Sequence, residues 1–177
     1  MFKQIRPEAV KENVWQMIGN SMLLTACTSH VDEEGKIITG RPNTMTVSWG
    51  GAGVLWNKNV VTVYVRPSRY TKEIIDQSDT FSLCLLPEKY KQALNYCGTH
   101  SGRDGDKFGP AKLHLEYYNG TPWIKEAKLV FICRKLYVQE FSPYSFADEK
   151  ILKQNYKNDD FHTMYIGEII RVSEDKR

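Results

Sequence analysis

A basic turn rich in hydroxyl groups follows a β-like run within Val60–Asp76, VVTVYVRPSRYTKEIID, and this turn opens a helix. A phosphate monoester needs this combination, because arginines and hydroxyls donate hydrogen bonds to its oxygens and a helix start adds backbone N–H groups. The candidate donors are Arg66, Ser68, Arg69, Tyr70 and Thr71. The alternative is that Ser68 or Thr71 only caps the helix, with both arginines solvated.

A second candidate is Asn43–Trp49, NTMTVSW, which combines an amide, alternating hydroxyls and an aromatic ring just after Arg41-Pro42. A flat heteroaromatic ligand can lie along such a strand, bound by backbone N–H groups and by Asn43 or Thr44. Trp49 and Trp56 would then supply an apolar wall. The alternative is that Val47 and Trp49 belong to the core and the hydroxyls face water.

The loop Cys97–Phe108, CGTHSGRDGDKF, concentrates charged and hydroxyl groups in a glycine-rich stretch. This composition suits a loop that closes over a ligand or contacts a phosphate. Its candidate side chains are Ser101, Arg103 and Lys107, and the alternative is a solvated loop. Asp104-Gly105-Asp106 is not an EF-hand, because the spaced oxygen ligands and the terminal Glu are missing.

The histidines and cysteines give weaker indications of a metal site or of a catalytic residue. The four histidines, His30, His100, His114 and His162, have no paired metal-ligand spacing, so we expect no metal site. Cys97 lies on an apolar helix face before Gly98, which favours burial over a reactive thiol. His162 precedes the strand-like TMYIGEII and could serve a site at a strand mouth, or be a surface or satisfied histidine.

The composition excludes several classes of function. The chain has 177 residues, with 24 Lys and Arg against 21 Asp and Glu, a net charge of +3. So small a surplus predicts no nucleic-acid footprint and no binding to an anionic membrane. No apolar run approaches the ~20 residues that span a bilayer. The absence of a CxxC pair and of an apolar N-terminal signal indicates a reduced, cytoplasmic protein.

Hydrophobic periodicity predicts more strands than helices. The predicted strands are Met22–Ser29, Thr44–Trp49, Val60–Arg66, Thr80–Leu86, Lys128–Glu140 and Thr163–Val172, and the predicted helices are Arg6–Asn20, Thr71–Gln77 and Glu88–Cys97. The two helices between strands, Thr71–Gln77 and Glu88–Cys97, are too short to cross over a parallel sheet repeatedly, which favours a mainly β, antiparallel barrel or sandwich with peripheral helices. We expect a single domain over residues 1–177. The glycine cluster Gly50–Gly53 does not have the GxGxxG spacing of a dinucleotide-binding turn.

Four segments together resemble a known family. RPNTMTVSWG, VRPSRYTKEII, CGTHSGRDGDKF and HTMYIGEI, in this order, are similar to the flavin reductase-like family with the FMN-binding split barrel, particularly its flavoredoxin-type branch. The resemblance covers about residues 15–173. It implies an antiparallel split β-barrel of Greek-key type with short peripheral α-helices, a homodimer, and noncovalently bound FMN.

The resemblance also implies roles for the candidate residues. The segment Asn43–Trp49 would lie beside the isoalloxazine ring, with Asn43, Thr44, Met45, Thr46, Ser48 and Trp49 as neighbours. Arg66, Ser68, Arg69, Tyr70 and Thr71 would hold the phosphate, and Ser101, Arg103 and Lys107 would close the site. His162 matches a histidine on the pyridine-nucleotide side of the flavin and is the candidate catalytic residue. Arg41 is a candidate for the positive charge near flavin N1.

Two functions follow from this resemblance. The first is an NAD(P)H-dependent FMN oxidoreductase, in which hydride transfer reduces FMN and electrons pass to an acceptor. The alternative is a flavoredoxin-like electron carrier that a protein partner reduces. A third reading is a barrel that has lost flavin and binds something else. The charged stretch Phe146–Phe161 matches no motif of the family, so it could be a surface insertion, a specificity lid or a docking feature.

Overall fold

In this computed structural model of the protein, residues 1–31 and 33–176 are described, without the side chains of Ser29, His30, Val31 and Ile37. The expectation that His30 binds no metal therefore lies outside the described side chains. The strands are β1 (Phe2–Ile5), β2 (Met22–Val31), β3 (Ile37–Val47), β4 (Gly50–Leu55), β5 (Lys58–Val65), β6 (Thr80–Leu85), β7 (Leu115–Tyr118), β8 (Thr121–Ile124), β9 (Leu129–Glu140) and β10 (Thr163–Asp175). Each of the six predicted strands overlaps one of these.

The helices are short and lie between the strands. They are α1 (Val14–Gly19), α2 (Tyr70–Asp76), α3 (Lys91–Thr99), α4 (Phe108–Ala111) and α5 (Glu149–Asn155), with 3-10 turns at Pro7–Ala9, Glu88–Tyr90 and Pro143–Ser145. Among the described residues, no helix has the length and apolar character needed to cross a membrane.

The strands form a large antiparallel sheet in the order β3-β2-β6-β9-β10-β5-β4, with β1 paired to β10. Because β3 also contacts β5, the sheet curves into a partly closed barrel. Strand β10 shifts register against β9 at Ile166/Gly167 and at Ile169/Arg171, and such bulges bend a strand. The mainly β, antiparallel architecture with peripheral helices is the one predicted.

Both faces of the sheet are covered, which explains the near-complete burial of β6. One apolar cluster covers one face of β6 and includes Leu24, Phe81 and Tyr165. A second cluster packs the other face beneath α3, α4 and the β7-β8 hairpin, and it includes Cys84 and Ile132. Alternate side chains of β6 therefore enter different clusters, and its interior residues are all buried.

Tight turns explain two hairpins that hydrophobic periodicity missed. Between β4 and β5, Trp56 and Asn57 both have positive φ, 53° and 57°. Between β7 and β8, Asn119 and Gly120 also both have positive φ. Two consecutive positive φ values define the type I′ turn that matches strand twist. The cluster Gly50–Gly53 lies in β4, where strand pairing compensates for the low β propensity of glycine.

The N-terminal helix predicted over Arg6–Asn20 is wrong as a single element. A 3-10 turn covers Pro7–Ala9, Val10 is extended, and α1 begins only at Val14. The side chain of Asn13 accepts a hydrogen bond from Gln16 N at 3.1 Å and so sets the start of α1.

Candidate functional site

Four pieces of chain meet in one cleft: the end of β3, the turn between β5 and α2, the loop after α3, and the start of β10. The cleft consists of two adjoining cavities that share Met45 and Arg69 in their walls. The larger one, of about 210 Å³, lies at the end of β3 against His162. The smaller one, of about 80 Å³, lies between α2 and the loop after α3.

The smaller cavity is polar and carries two cations. Ser68 and Thr71 line it with hydroxyl groups, and Arg69 and Lys107 line it with positive charge. The Lys107 side chain is buried, its residue only 4% exposed, and Nζ donates to the carbonyl oxygens of Cys97 and His100 at 2.9 and 3.1 Å. Burial lowers the pKa of Lys107, since desolvation disfavours its charged form.

Ion pairing separates the four predicted cations into two groups. Arg66 pairs with Asp160 at 2.6 Å, and Arg103 pairs with Glu73. Within the described part of the chain, Arg69 and Lys107 form no ion pair with a carboxylate. Arg69 instead donates from Nη1 to the Gly98 carbonyl at 3.0 Å. The smaller cavity therefore contains two positive charges that a bound anion could neutralise.

The start of α2 argues against the helix-capping interpretation of the basic turn. The helix begins after Arg69, and no side chain caps its first backbone N–H groups. Ser68 and Thr71 therefore do not act as helix caps, and the Thr71 hydroxyl accepts from Asn43 Nδ2 at 2.9 Å. Neither arginine is merely solvated, because Arg66 and Arg69 both have protein partners.

Two glycines let the loop and α3 approach β3 closely. A Cβ added at Gly102 would overlap the side-chain amide of Asn43, whose Cγ lies only 2.7 Å from that position. A Cβ at Gly98 would likewise meet the hydroxyl of Thr46. A side chain at either position would force Asn43, Thr46 or the backbone beside them to move, so the two glycines allow the close approach.

The larger cavity has aromatic walls and one neutral histidine. Trp49, Tyr64 and Met45 line it, and the Trp49 and His162 ring centroids are 5.1 Å apart. His162 is 6% exposed, and burial, followed by the Arg66 guanidinium, lowers its pKa to about 4. Asp160 opposes this shift, and Arg69 adds to it. The imidazole is therefore uncharged at neutral pH.

The structure brings thirteen of the fifteen predicted site residues to the walls of the two cavities. Those residues are Asn43, Met45, Thr46, Ser48, Trp49, Arg66, Ser68, Arg69, Tyr70, Thr71, Ser101, Lys107 and His162. Thr44 is not among them, because it is fully buried and bonds Thr25 Oγ1 at 2.9 Å. Arg103 lies outside both walls, against Glu73 and the Tyr70 ring.

Two further candidates fall outside the cleft. Trp56 lies in the type I′ turn next to Tyr137, with ring centroids 6.4 Å apart, so it supplies no wall. Arg41 is exposed and lines neither cavity.

Several residues in or behind the cavity walls were not predicted from the sequence. Tyr64 precedes Arg66 by two positions, so strand alternation could have placed it on the same face. Thr99, His100 and Gly102 belong to the predicted loop but were not singled out. Tyr156 lies behind His162 and comes from the stretch Phe146–Phe161, for which no motif was recognised.

Cysteine and metal chemistry have little geometric support in the described part of the chain. Cys27, Cys84, Cys97 and Cys133 are all buried thiols without a disulfide. Burial raises the pKa of Cys97, which fits the packing interpretation. No group of three or more His, Cys, Asp or Glu side chains converges among the described residues.

Comparison with protein families identifies the class of protein. The model of the flavin reductase like domain matches residues 19–177. The chain therefore belongs to the flavin reductase-like family. A comparison with curated protein sequences finds no significant match.

Solved structures show the same fold. An FMN-binding domain of a flavin reductases-like enzyme from Shewanella baltica OS155 is 17% identical, with a TM-score of 0.66 over 99% of this chain and 78% of that one. Flavoredoxin from Methanosarcina acetivorans is 24% identical, with a TM-score of 0.64 over 98% of this chain and 76% of that one. The NADH:FAD oxidoreductase of Streptomyces globisporus C-1027 is 17% identical, with a TM-score of 0.60 over 88% of this chain and 75% of that one.

Proposed function

We propose that this protein is an FMN-binding oxidoreductase that takes electrons from NAD(P)H through noncovalently bound FMN and passes them to an acceptor. The observation that carries the proposal is the pairing of two cavities. One contains two cations, Arg69 and Lys107, that form no ion pair with a described carboxylate, and the other has aromatic walls. A flavin phosphate has this division between an anion and a flat ring.

The smaller cavity fits a phosphate. A buried ammonium is costly without a counter-charge, and among the described residues the hydrogen-bond partners of Lys107 Nζ are two carbonyl oxygens. A phosphate would neutralise it while accepting hydrogen bonds from Arg69 and from the hydroxyls of Ser68 and Ser101. The uncapped start of α2 faces the same region.

The larger cavity fits the ring. Met45 and Trp49 supply apolar surface, and the hydroxyl of Ser48 and the neutral His162 supply polar contacts at the edge. When bound, FMN supplies the redox chemistry, because its ring accepts a hydride equivalent and releases electrons singly or in pairs. The chain's own part is to orient the ring, exclude water and keep His162 uncharged.

The choice of FMN rather than FAD rests on the arginine that lies beside the smaller cavity. Arg103 pairs with Glu73 on α2 and donates to the Ser68 carbonyl at 3.4 Å. Its guanidinium also lies 5.2 Å from the centre of the Tyr70 ring. This bridge supports a terminal phosphate at this end, since the second phosphate of a dinucleotide would need a way past it.

A homodimer is part of the same proposal. A wide cavity of about 570 Å³ opens beside the His162 cavity and shares Ser48, Trp49 and Tyr64 with it. Trp15, on α1 at its wall, is 83% exposed. Exposed aromatic surface beside a site is typical of an interface. Analytical ultracentrifugation of the protein and of Trp15→Ser tests this: we expect a dimer that the substitution weakens.

One experiment separates the candidate functions. The protein is incubated with FMN, desalted, and mixed anaerobically with NADH, NADPH or a reduced ferredoxin while the flavin absorption is followed. Fast bleaching by a pyridine nucleotide supports the oxidoreductase. Slow bleaching by both nucleotides but fast bleaching by ferredoxin supports the flavoredoxin-like carrier. A protein that binds neither FMN nor riboflavin in an equilibrium titration would overturn both.

A further inference from the structure

The stretch Phe146–Phe161, which no family motif explains, reaches the candidate site through one side chain. Tyr156, at the end of α5, places its hydroxyl 2.8 Å from Nδ1 of His162. Both residues are 6% exposed, so water does not compete strongly for this contact. Tyr156 does not line the larger cavity, whereas His162 does. Nδ1 is therefore occupied by Tyr156, which leaves Nε2 as the ring nitrogen that can contact a group in the cavity.

The chemistry of the two groups sets the direction of this hydrogen bond. A phenol O–H is the stronger donor, and an unprotonated imidazole nitrogen is the stronger acceptor. Burial raises the pKa of Tyr156, so it keeps its proton, and burial lowers the pKa of His162, so the ring is neutral. With Tyr156 donating to Nδ1, the one ring proton of His162 must lie on Nε2.

Arg66 holds the segment that carries Tyr156. Its guanidinium pairs with Asp160 at 2.6 Å and donates to the Asn155 carbonyl at 3.0 Å. The guanidinium also lies over the Tyr156 ring, 5.2 Å from its centre. Phe161 stacks on the same ring, with centroids 5.0 Å apart. Arg66 at the end of β5 therefore connects the segment to the cleft, rather than standing ready for a phosphate.

We propose that Tyr156 is a positioning residue that holds His162 in the Nε2–H tautomer, so that the cavity wall presents a neutral N–H donor to a reactant. The matching reactant group is an uncharged acceptor, such as a carbonyl oxygen. This use of the donor rests on the proposed function, but the tautomer does not. The segment Phe146–Phe161 then acts on the reaction through His162, without touching the reactant.

The tautomer can be measured directly. Long-range proton–nitrogen NMR spectra of the nitrogen-15-labelled full chain, with and without FMN, distinguish protonated from unprotonated ring nitrogens. His162→Gln identifies the His162 signals by their loss. His100, whose Nδ1 lies 3.1 Å from Thr99 Oγ1 and 3.2 Å from the Tyr96 carbonyl, is an internal reference whose signals should stay the same in every variant.

We expect Nε2 of His162 to be protonated and Nδ1 unprotonated in the unmodified protein. Tyr156→Phe removes the donor and should give a mixture of tautomers, with His100 unchanged. A proton on Nδ1 in the unmodified protein overturns the proposal without any variant. An unchanged His162 spectrum in a folded Tyr156→Phe protein also overturns it. If Tyr156→Phe does not fold, Asp160→Asn, which loosens the Arg66 anchor, takes its place with the same expectation.

A second measurement tests whether the donor serves the reaction. In FMN-loaded protein, Tyr156→Phe should slow anaerobic reduction by NAD(P)H about 5–10-fold, the effect of about one hydrogen bond, with FMN affinity unchanged. His162→Gln carries an amide nitrogen at the position of Nε2 and should retain more of the rate than His162→Asn. Equal rates in these two variants would contradict a donor role. Failure to bind flavin would remove the proposed function but leave the NMR result standing.

Discussion

Replacing Arg69 with alanine tests the proposed phosphate contact in the smaller cavity. A hydrogen bond to a charged group contributes about 1.5–3 kcal/mol. Arg69 is exposed and already donates to the Gly98 carbonyl at 3.0 Å, so screening places its effect at the lower end. We expect a loss of about 1.5–2 kcal/mol, which weakens FMN binding about 10–30-fold. Riboflavin has no phosphate, so its affinity should not change. Titration of flavin fluorescence measures both affinities.

A matched control separates a direct contact from a change of net charge. Arg134 pairs with Glu168 at 2.6 Å on β9 and lies outside both cavities. Arg134→Ala removes the same charge and should leave both affinities as they are. Equal losses of FMN and riboflavin in Arg69→Ala would refute the phosphate contact. A similar loss of FMN in Arg134→Ala would attribute the effect to the field of the whole protein.

Three further predictions concern packing, pH and the thiols. Gly102→Ala forces the loop away from Asn43, so it should lower stability by about 1–3 kcal/mol and weaken FMN binding. Gly53→Ala, whose Cβ would lie in open space, should change neither. Thermal unfolding and flavin titration measure the two effects. The pKa of His162 is about 4 in the fold against 6.5 when free, so the unfolded chain binds more protons between these values and stability falls as pH drops from 7 to 4. The loss of unfolding free energy should be about 1–2 kcal/mol, less than the full pKa shift implies because the ring lines an open cavity. Urea unfolding of the protein and of His162→Gln measures it as the difference between the two pH profiles. An equal pH slope in both proteins would contradict it. The four cysteines should react with a thiol reagent at pH 8 only after unfolding, since all are buried and burial raises the pKa of Cys27 and Cys84 to about 11; rapid modification of native Cys97 would refute this.

The sequence predicts the basic turn well because its chemistry is local. Ser68, Arg69 and Thr71 lie within four positions, and a strand that ends where a helix begins brings them together without distant partners. The fate of Arg66 could not be predicted in this way. Its partner Asp160 is 94 residues away, and only the fold shows that this ion pair neutralises the guanidinium.

The same distinction between local and distant information explains which strands could be predicted from the sequence. Strands β2, β5, β6 and β9 were predicted because β-branched and aromatic residues dominate them. β4 was missed because Gly50, Gly51 and Gly53 carry no pattern, and it exists through its pairing with β5. The burial of β6 on both faces likewise depends on α3 and the β7-β8 hairpin, which pack against it from elsewhere in the chain.

The position of β10 has a consequence for biosynthesis. This strand is made after β1, β5 and β9, yet it lies between β5 and β9 and also pairs with β1. On the ribosome, β5 and β9 must therefore wait with unpaired edges until β10 emerges, and pairing across such long separations is slow. Because His162 directly precedes β10, the cleft is completed last. A nascent chain therefore cannot assemble the cleft before β10 has emerged, because the strand that closes the sheet also completes the site.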